Sequence, residues 1–179
     1  MIYMIEKTVN KNSSLYKDVF YEVYKSMQLS SAYVLYYDID LSKEELQDFN
    51  KKFCEHDQED SDHKISEREI KSSILEEIGF DCRKESLNFP YRAKLKMYGK
   101  KTSSKTIATV SVAASNAVEL YFTLCIYTLR TDYHFDIHQI MIWYEKLKEF
   151  ARLYGDGLTD EHVFKYFMQE CELECYEEE

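Results

Sequence analysis

The sequence predicts an α+β fold: one domain with a mainly antiparallel sheet of about four to five strands and about five helices. Three observations lead there. Helix-start signals recur along the chain, and runs of β-branched and aromatic residues lie between them. The two kinds of segment follow the order β-α-β-α-α-β-β-β-α-α, with strands grouped rather than strictly alternating with helices. At 179 residues and 21.5 kDa the chain is the size of one domain. Its hydrophobic fraction of 45%, with 16 Tyr and 10 Phe, supplies a core despite a mean hydropathy of −0.52. Four Gly and one Pro leave few turns that need special backbone angles, so long regular elements are expected.

Residues 2–9 are a candidate first strand. A helix over about 14–28 follows from Leu15, Val19, Phe20, Val23, Tyr24 and Met27, which fall on one stripe of period 3.6. Residues 31–39 (SAYVLYYDI) form a β-branched and aromatic run that predicts a strand. Ser42 and Glu45 then make a capping box, with Leu41 and Leu46 as a hydrophobic staple, and open a helix ending near 55. The polar stretch 55–64 predicts an acidic loop. Ser66 and Glu69 repeat the box, stapled by Ile65 and Ile70, and Gly79 sits where a C-cap belongs.

Tyr91, Ala93, Leu95 and Met97 alternate with Arg92, Lys94 and Lys96, the pattern of a half-exposed strand. Residues 105–113 and 118–130 predict two further strands. Asp136 and Gln139, stapled by Phe135 and Ile140, start a helix that ends near 154, before Gly155. Thr159 caps a last helix to about 173, and the acidic tail 172–179 frays.

Several function classes lack their signatures. No run approaches the roughly 18–20 apolar residues of a membrane span, and the charged N-terminus is not that of a secretory signal. Five cysteines, at 54, 82, 125, 171 and 175, make no disulfide framework, so reduced thiols and a cytoplasmic location are expected. Cys171 and Cys175 share a helix face but do not complete a zinc site, and burial is the expected role. The glycines at 79, 99, 155 and 157 match neither a dinucleotide fingerprint nor a P-loop, and no G-x-S-x-G elbow is present. No catalytic residue and no cofactor is assigned.

Charge is distributed unevenly. The chain carries −10 overall, yet residues 83–105 hold eight bases against one acid, a net of +7. From Asp38 to Asp81 there are fifteen acids and six bases, a net of −9, and from Asp156 to Glu179 the net is −8. The acidic patch is led by Glu44, Glu45, Asp48, Glu55, Asp57, Glu59, Asp60 and Asp62. Carboxylates spaced along a helix can engage the Lys and Arg that ordinarily neutralise phosphate, which makes these eight the candidate contacts for a basic partner surface. Arg92, Lys94, Lys96, Lys100, Lys101 and Lys105 form the opposite candidate, a basic strand and turn that could track a phosphate backbone or meet an acidic partner. His134, Asp136 and His138 are weak metal-ligand candidates, since an extended strand would place all three on one face. A helix cap at Asp136 would splay them apart. Most of the aromatic residues from Tyr121 to Phe167 are expected in the core.

In kind, the chain resembles small acidic proteins of phages and other mobile elements that block host nucleases and defence effectors, anti-CRISPR proteins among them. The likeness rests on size, charge and missing catalytic motifs, and covers no specific residues. It implies a cytoplasmic inhibitor whose acidic face mimics nucleic-acid phosphates against a protein partner such as a CRISPR nuclease. Two alternatives come from other classes: a metal-dependent nuclease or other small hydrolase using the His and acid clusters at 55–63 and 134–138, and a nucleic-acid-binding regulator using strand 91–105.

Overall fold

The computed structural model describes residues 9–62, 64–90, 103–154, 167 and 169–173. Among these residues the chain is about 80% helical and contains no strand, which overturns the expected α+β fold and its antiparallel sheet. The described residues form six helices: α1 (Ser14–Tyr37), α2 (Lys43–Ser61), α3 (Glu67–Ile78), α4 (Cys82–Asn88), α5 (Ser104–Thr131) and α6 (Ile137–Tyr154). A further helical turn holds Phe167 and residues 169–171.

The helix starts at Ser42, Ser66 and Asp136 fall where the sequence placed them, whereas the caps at Asp81 and Ser103 were not expected. Ser13, Ser42, Ser66, Asp81 and Ser103 each accept a hydrogen bond from a first-turn amide, satisfying a donor that no helical carbonyl can reach. Asp136 does the same for α6: its Oδ1 accepts from the Gln139 amide at 2.9 Å while Gln139 Oε1 accepts from the Asp136 amide at 2.9 Å. Gly79 ends α3 with φ +70, a left-handed angle that favours glycine.

The strands fail for a common reason: no breaker interrupts the helical period. In α1 the buried residues Val19, Val23, Met27, Ser31, Val34 and Leu35 continue one stripe straight through the supposed strand 31–39. Residues 105–113 and 118–130 are not two strands but one 28-residue helix, α5. Its buried positions cover every side, including the consecutive run Tyr121 to Ile126, as befits a helix surrounded by others. The threonines that raised its β propensity turn their hydroxyls onto the preceding turn: Thr109, Thr123 and Thr128 donate to the carbonyls of Lys105, Glu119 and Leu124. The acidic loop 55–64 is also corrected, because α2 continues to Ser61. α4 was not expected at all. The strand candidate at 2–9, apart from Val9, which is not in a strand, the strand candidate at 91–97, the Thr159 cap and the tail beyond 173 lie outside the described residues.

α5 is the central element, with α1, α2, α3 and α4 packed on it. α6 packs on α1 and reaches α5 through aromatic contacts. Phe122 of α5 meets Phe80, Phe89, Trp143 and Tyr144 with rings near perpendicular, which joins α6 to the segments flanking α4. The indole N–H of Trp143 donates to Ser31 Oγ at 3.0 Å, so this fully buried ring leaves no donor unmet. By length and composition α5 could cross a membrane, contrary to the expectation that no segment qualifies, and 83% of its most apolar window is buried within the fold.

Candidate functional site

All eight candidate acidic contacts lie on α2 or its C-cap. The orientation of that helix is set by Leu46, Phe49 and Phe53, which are buried. On the far side the 3.6 period gathers Glu44, Asp48, Glu55, Glu59 and Asp62 into a stripe about 60° wide and roughly 27 Å long. Lys51 falls about 20° beyond one edge of the stripe, at a level between Asp48 and Glu55. Asp57 and Asp60 are four and seven residues beyond Phe53, so the same period puts them on the core-side flank. Asp57 is half-buried and accepts from the Tyr24 hydroxyl at 3.0 Å. Burial pushes its carboxyl above the usual range, the Tyr24 bond opposes that, and the charge of Asp60 adds to it.

Several of the eight carboxylates are tied to the protein itself. Glu45 closes the capping box, with Oε2 at 2.8 Å from the Ser42 amide, and these bonds hold its carboxyl below the usual range. Asp48 accepts from Lys52 at 3.0 Å and from the Tyr133 hydroxyl at 2.8 Å, which lowers it likewise. Glu59 lies 3.4 Å from His56 Nδ1, and the other ring nitrogen of His56 lies 2.9 Å from Asp132, the C-cap of α5. One flank of α2 is thereby fastened to the end of α5. Glu44 and Glu55 stand exposed.

A second constellation escaped the sequence. Glu119, in the middle of α5, is only 9% exposed. Its Oε1 accepts from Lys71 of α3 at 2.8 Å and its Oε2 from Arg83 of α4 at 2.7 Å. Lys71 also pairs with Glu67 at 2.8 Å. The same Arg83 nitrogen donates to Asn116 Oδ1 at 3.0 Å, and the Asn116 amide donates to the Tyr16 hydroxyl oxygen at 2.8 Å. A buried carboxylate is tolerated here because two cations share it, and the shared charge pins α3 and α4 against α5. These groups line a cleft of about 410 Å³ that also takes in Lys11, Phe20 and Leu120. Burial pushes the Tyr16 phenol above its ordinary range, an effect its Asn116 bond opposes, so it keeps its proton at neutral pH. The legible signal was that Glu119 is the only charged residue between Lys105 and Arg130.

Of the basic candidates, Lys105 is exposed in the first turn of α5, not on a strand. Arg92, Lys94, Lys96, Lys100 and Lys101 lie outside the described residues. Arg83, counted with the basic block, turns inward to Glu119. His134, Asp136 and His138 do not share one face of a strand: His134 has a left-handed φ of 57, Asp136 is the helix cap, and all three are exposed. Among the described residues no group of three or more His, Cys, Asp or Glu is placed to hold a metal ion. No disulfide joins the four described cysteines, and Cys82, Cys125 and Cys171 are buried. Burial drives the Cys82 and Cys125 thiols up to about 12, away from thiolate chemistry.

No protein-family model matches the chain, and no curated protein and no solved structure matches it either.

Proposed function

We propose that the chain is an interaction protein that uses the outer face of α2 to occlude a basic, nucleic-acid-binding surface on a partner protein such as a nuclease effector. The observation that supports this is the alignment of Glu44, Asp48, Glu55, Glu59 and Asp62 on one face of a helix whose other face is anchored in the core. A carboxylate row of this kind competes for the Lys and Arg side chains that otherwise bind phosphate oxygens. Because the helix is already folded, little ordering cost is incurred on binding. The surplus of negative charge steers a basic partner toward it and speeds encounter at low salt. Such partners are met in the cytoplasm, where the chain is proposed to act.

The test begins with capture of the partner from lysate, with and without nuclease treatment, to separate a protein partner from nucleic acid. With the purified partner, affinity should fall steeply as salt rises, and the chain should compete with the partner's nucleic acid. Reversing four charges (Glu44→Lys, Asp48→Lys, Glu55→Lys, Glu59→Lys) should weaken binding at least tenfold, about 1.4 kcal/mol. A reversed protein that binds and inhibits as well as the parent would sink the proposal.

A further inference from the structure

The cleft beside Glu119 has a polarity that the hydrogen-bond directions dictate. Arg83 can only donate, so the oxygen of Asn116 must face it, at 3.0 Å. The Asn116 amide nitrogen therefore faces Tyr16 and donates to its oxygen at 2.8 Å. With its oxygen engaged as an acceptor, Tyr16 has its own O–H left to give, and its side chain lines the cleft. Lys71 has three N–H donors, and Glu67 and Glu119 engage two of them at 2.8 Å each. Lys11 brings a further ammonium group to the cleft.

The charge balance agrees. Three cations, Lys11, Lys71 and Arg83, line the cleft with two carboxylates, Glu67 and Glu119, a net of +1 in a chain of −10. The charge of Glu119 is already shared by Lys71 and Arg83, which disfavours a third cation beside it. Phe20 and Leu120 give the cleft apolar wall, and its volume falls in the range of small-molecule sites.

We propose that this cleft binds the oxyanion group of a small molecule, a phosphate or a carboxylate, which accepts from the Tyr16 hydroxyl and from the ammonium groups of Lys11 and Lys71. The remainder of the ligand lies against Phe20 and Leu120. Glu119 and Asn116 act as positioning residues: the first holds Lys71 and Arg83 in place, and the second turns the Tyr16 proton into the cleft. The site is separate from the outer face of α2 and does not depend on the function proposed for that face.

Amide chemical-shift titrations of the full chain with inorganic phosphate and with acetate, at constant ionic strength, test the site. Saturable shifts should centre on Tyr16, Asn116, Glu119 and Leu120. Saturation by either probe supports the site and identifies its anion; saturation by neither overturns it. Lys11→Ala, on an exposed residue, should weaken binding at least fivefold without lowering the melting temperature. Tyr16→Phe should weaken it similarly, whereas Lys105→Ala should leave it unchanged. Shifts that rise linearly and scatter over surface lysines, or full affinity in the Lys11→Ala protein, overturn the proposal.

Discussion

Glu119 gives both oxygens to cations on neighbouring helices, whereas Glu44 and Glu55 extend from α2 into water. The two settings use one functional group for opposite ends. On α5 the surrounding apolar residues make an unpaired charge costly, so the carboxylate is fixed in place and the helices that pair with it are fixed too. At Glu44 and Glu55 water screens the charge, little folding energy depends on either, and both stay available to a partner. Sequence position conveys part of this difference: Glu119 is isolated in an uncharged run, while the acids of α2 recur at helical spacing.

The comparison can be broken most directly at Glu119. Glu119→Ala leaves Lys71 and Arg83 without their shared partner and should cost about 2–3 kcal/mol, the lower side of the effect for breaking a buried pair because both cations retain some water. Thermal denaturation should show a melting temperature lower by about 5–10 °C. If Glu119→Ala melts like the parent, α3 and α4 are not held through this charge. The fourfold reversal on α2 should have the opposite emphasis, lowering partner affinity at least tenfold while lowering the melting temperature by only about 2–5 °C, the part that Asp48 and Glu59 contribute through Lys52, Tyr133 and His56. Loss of the fold in that variant would show that the stripe is structural.

Smaller changes sharpen the same contrast. Ser42→Ala removes the cap that starts α2 and should cost about 1 kcal/mol in denaturant unfolding. Lys51→Glu removes a cation beside the stripe and adds a carboxylate at its edge, and should tighten partner binding a few-fold at low salt, with the gain shrinking as salt rises. The smallest effect is expected at Asp57, whose folded carboxyl titrates above its unfolded range. Its contribution to stability is therefore present at low pH and lost as pH rises through the folded value. Asp57→Asn retains an acceptor for Tyr24 and removes that loss, so the variant should melt slightly higher at pH 7 and show no gain in acid. It should also bind the partner as the parent does, since Asp57 lies on the other flank of the helix.

How much of this was legible varied with the distance over which each signal acts. Capping is a contact between residues three apart, and the starts at Ser42, Ser66 and Asp136 were all visible with their staples. Tyr121 to Ile126 offered no such clue, because an apolar run buried on every side has neither the stripe of a surface helix nor a true alternation. The shortage of glycine and proline, already evident, favoured one long helix there. The stripe on α2 could be counted out from the sequence, but its inner flank could not be excluded until Phe53 was seen buried. Asp57 and Asp60 were accordingly grouped with the outer carboxylates.

By itself the sequence determined the helix starts at Ser42, Ser66 and Asp136, that glycine loops for phosphate are missing, and that charge is segregated along the chain. These properties depend on neighbouring residues or on composition alone. Tertiary structure decided that α5 stands at the centre, that Arg83 turns away from the basic block, and that residues as far apart as Tyr16, Lys71 and Glu119 face one cleft. Those outcomes depend on which helices exclude water from which carboxylate, and no spacing along the chain encodes that desolvation.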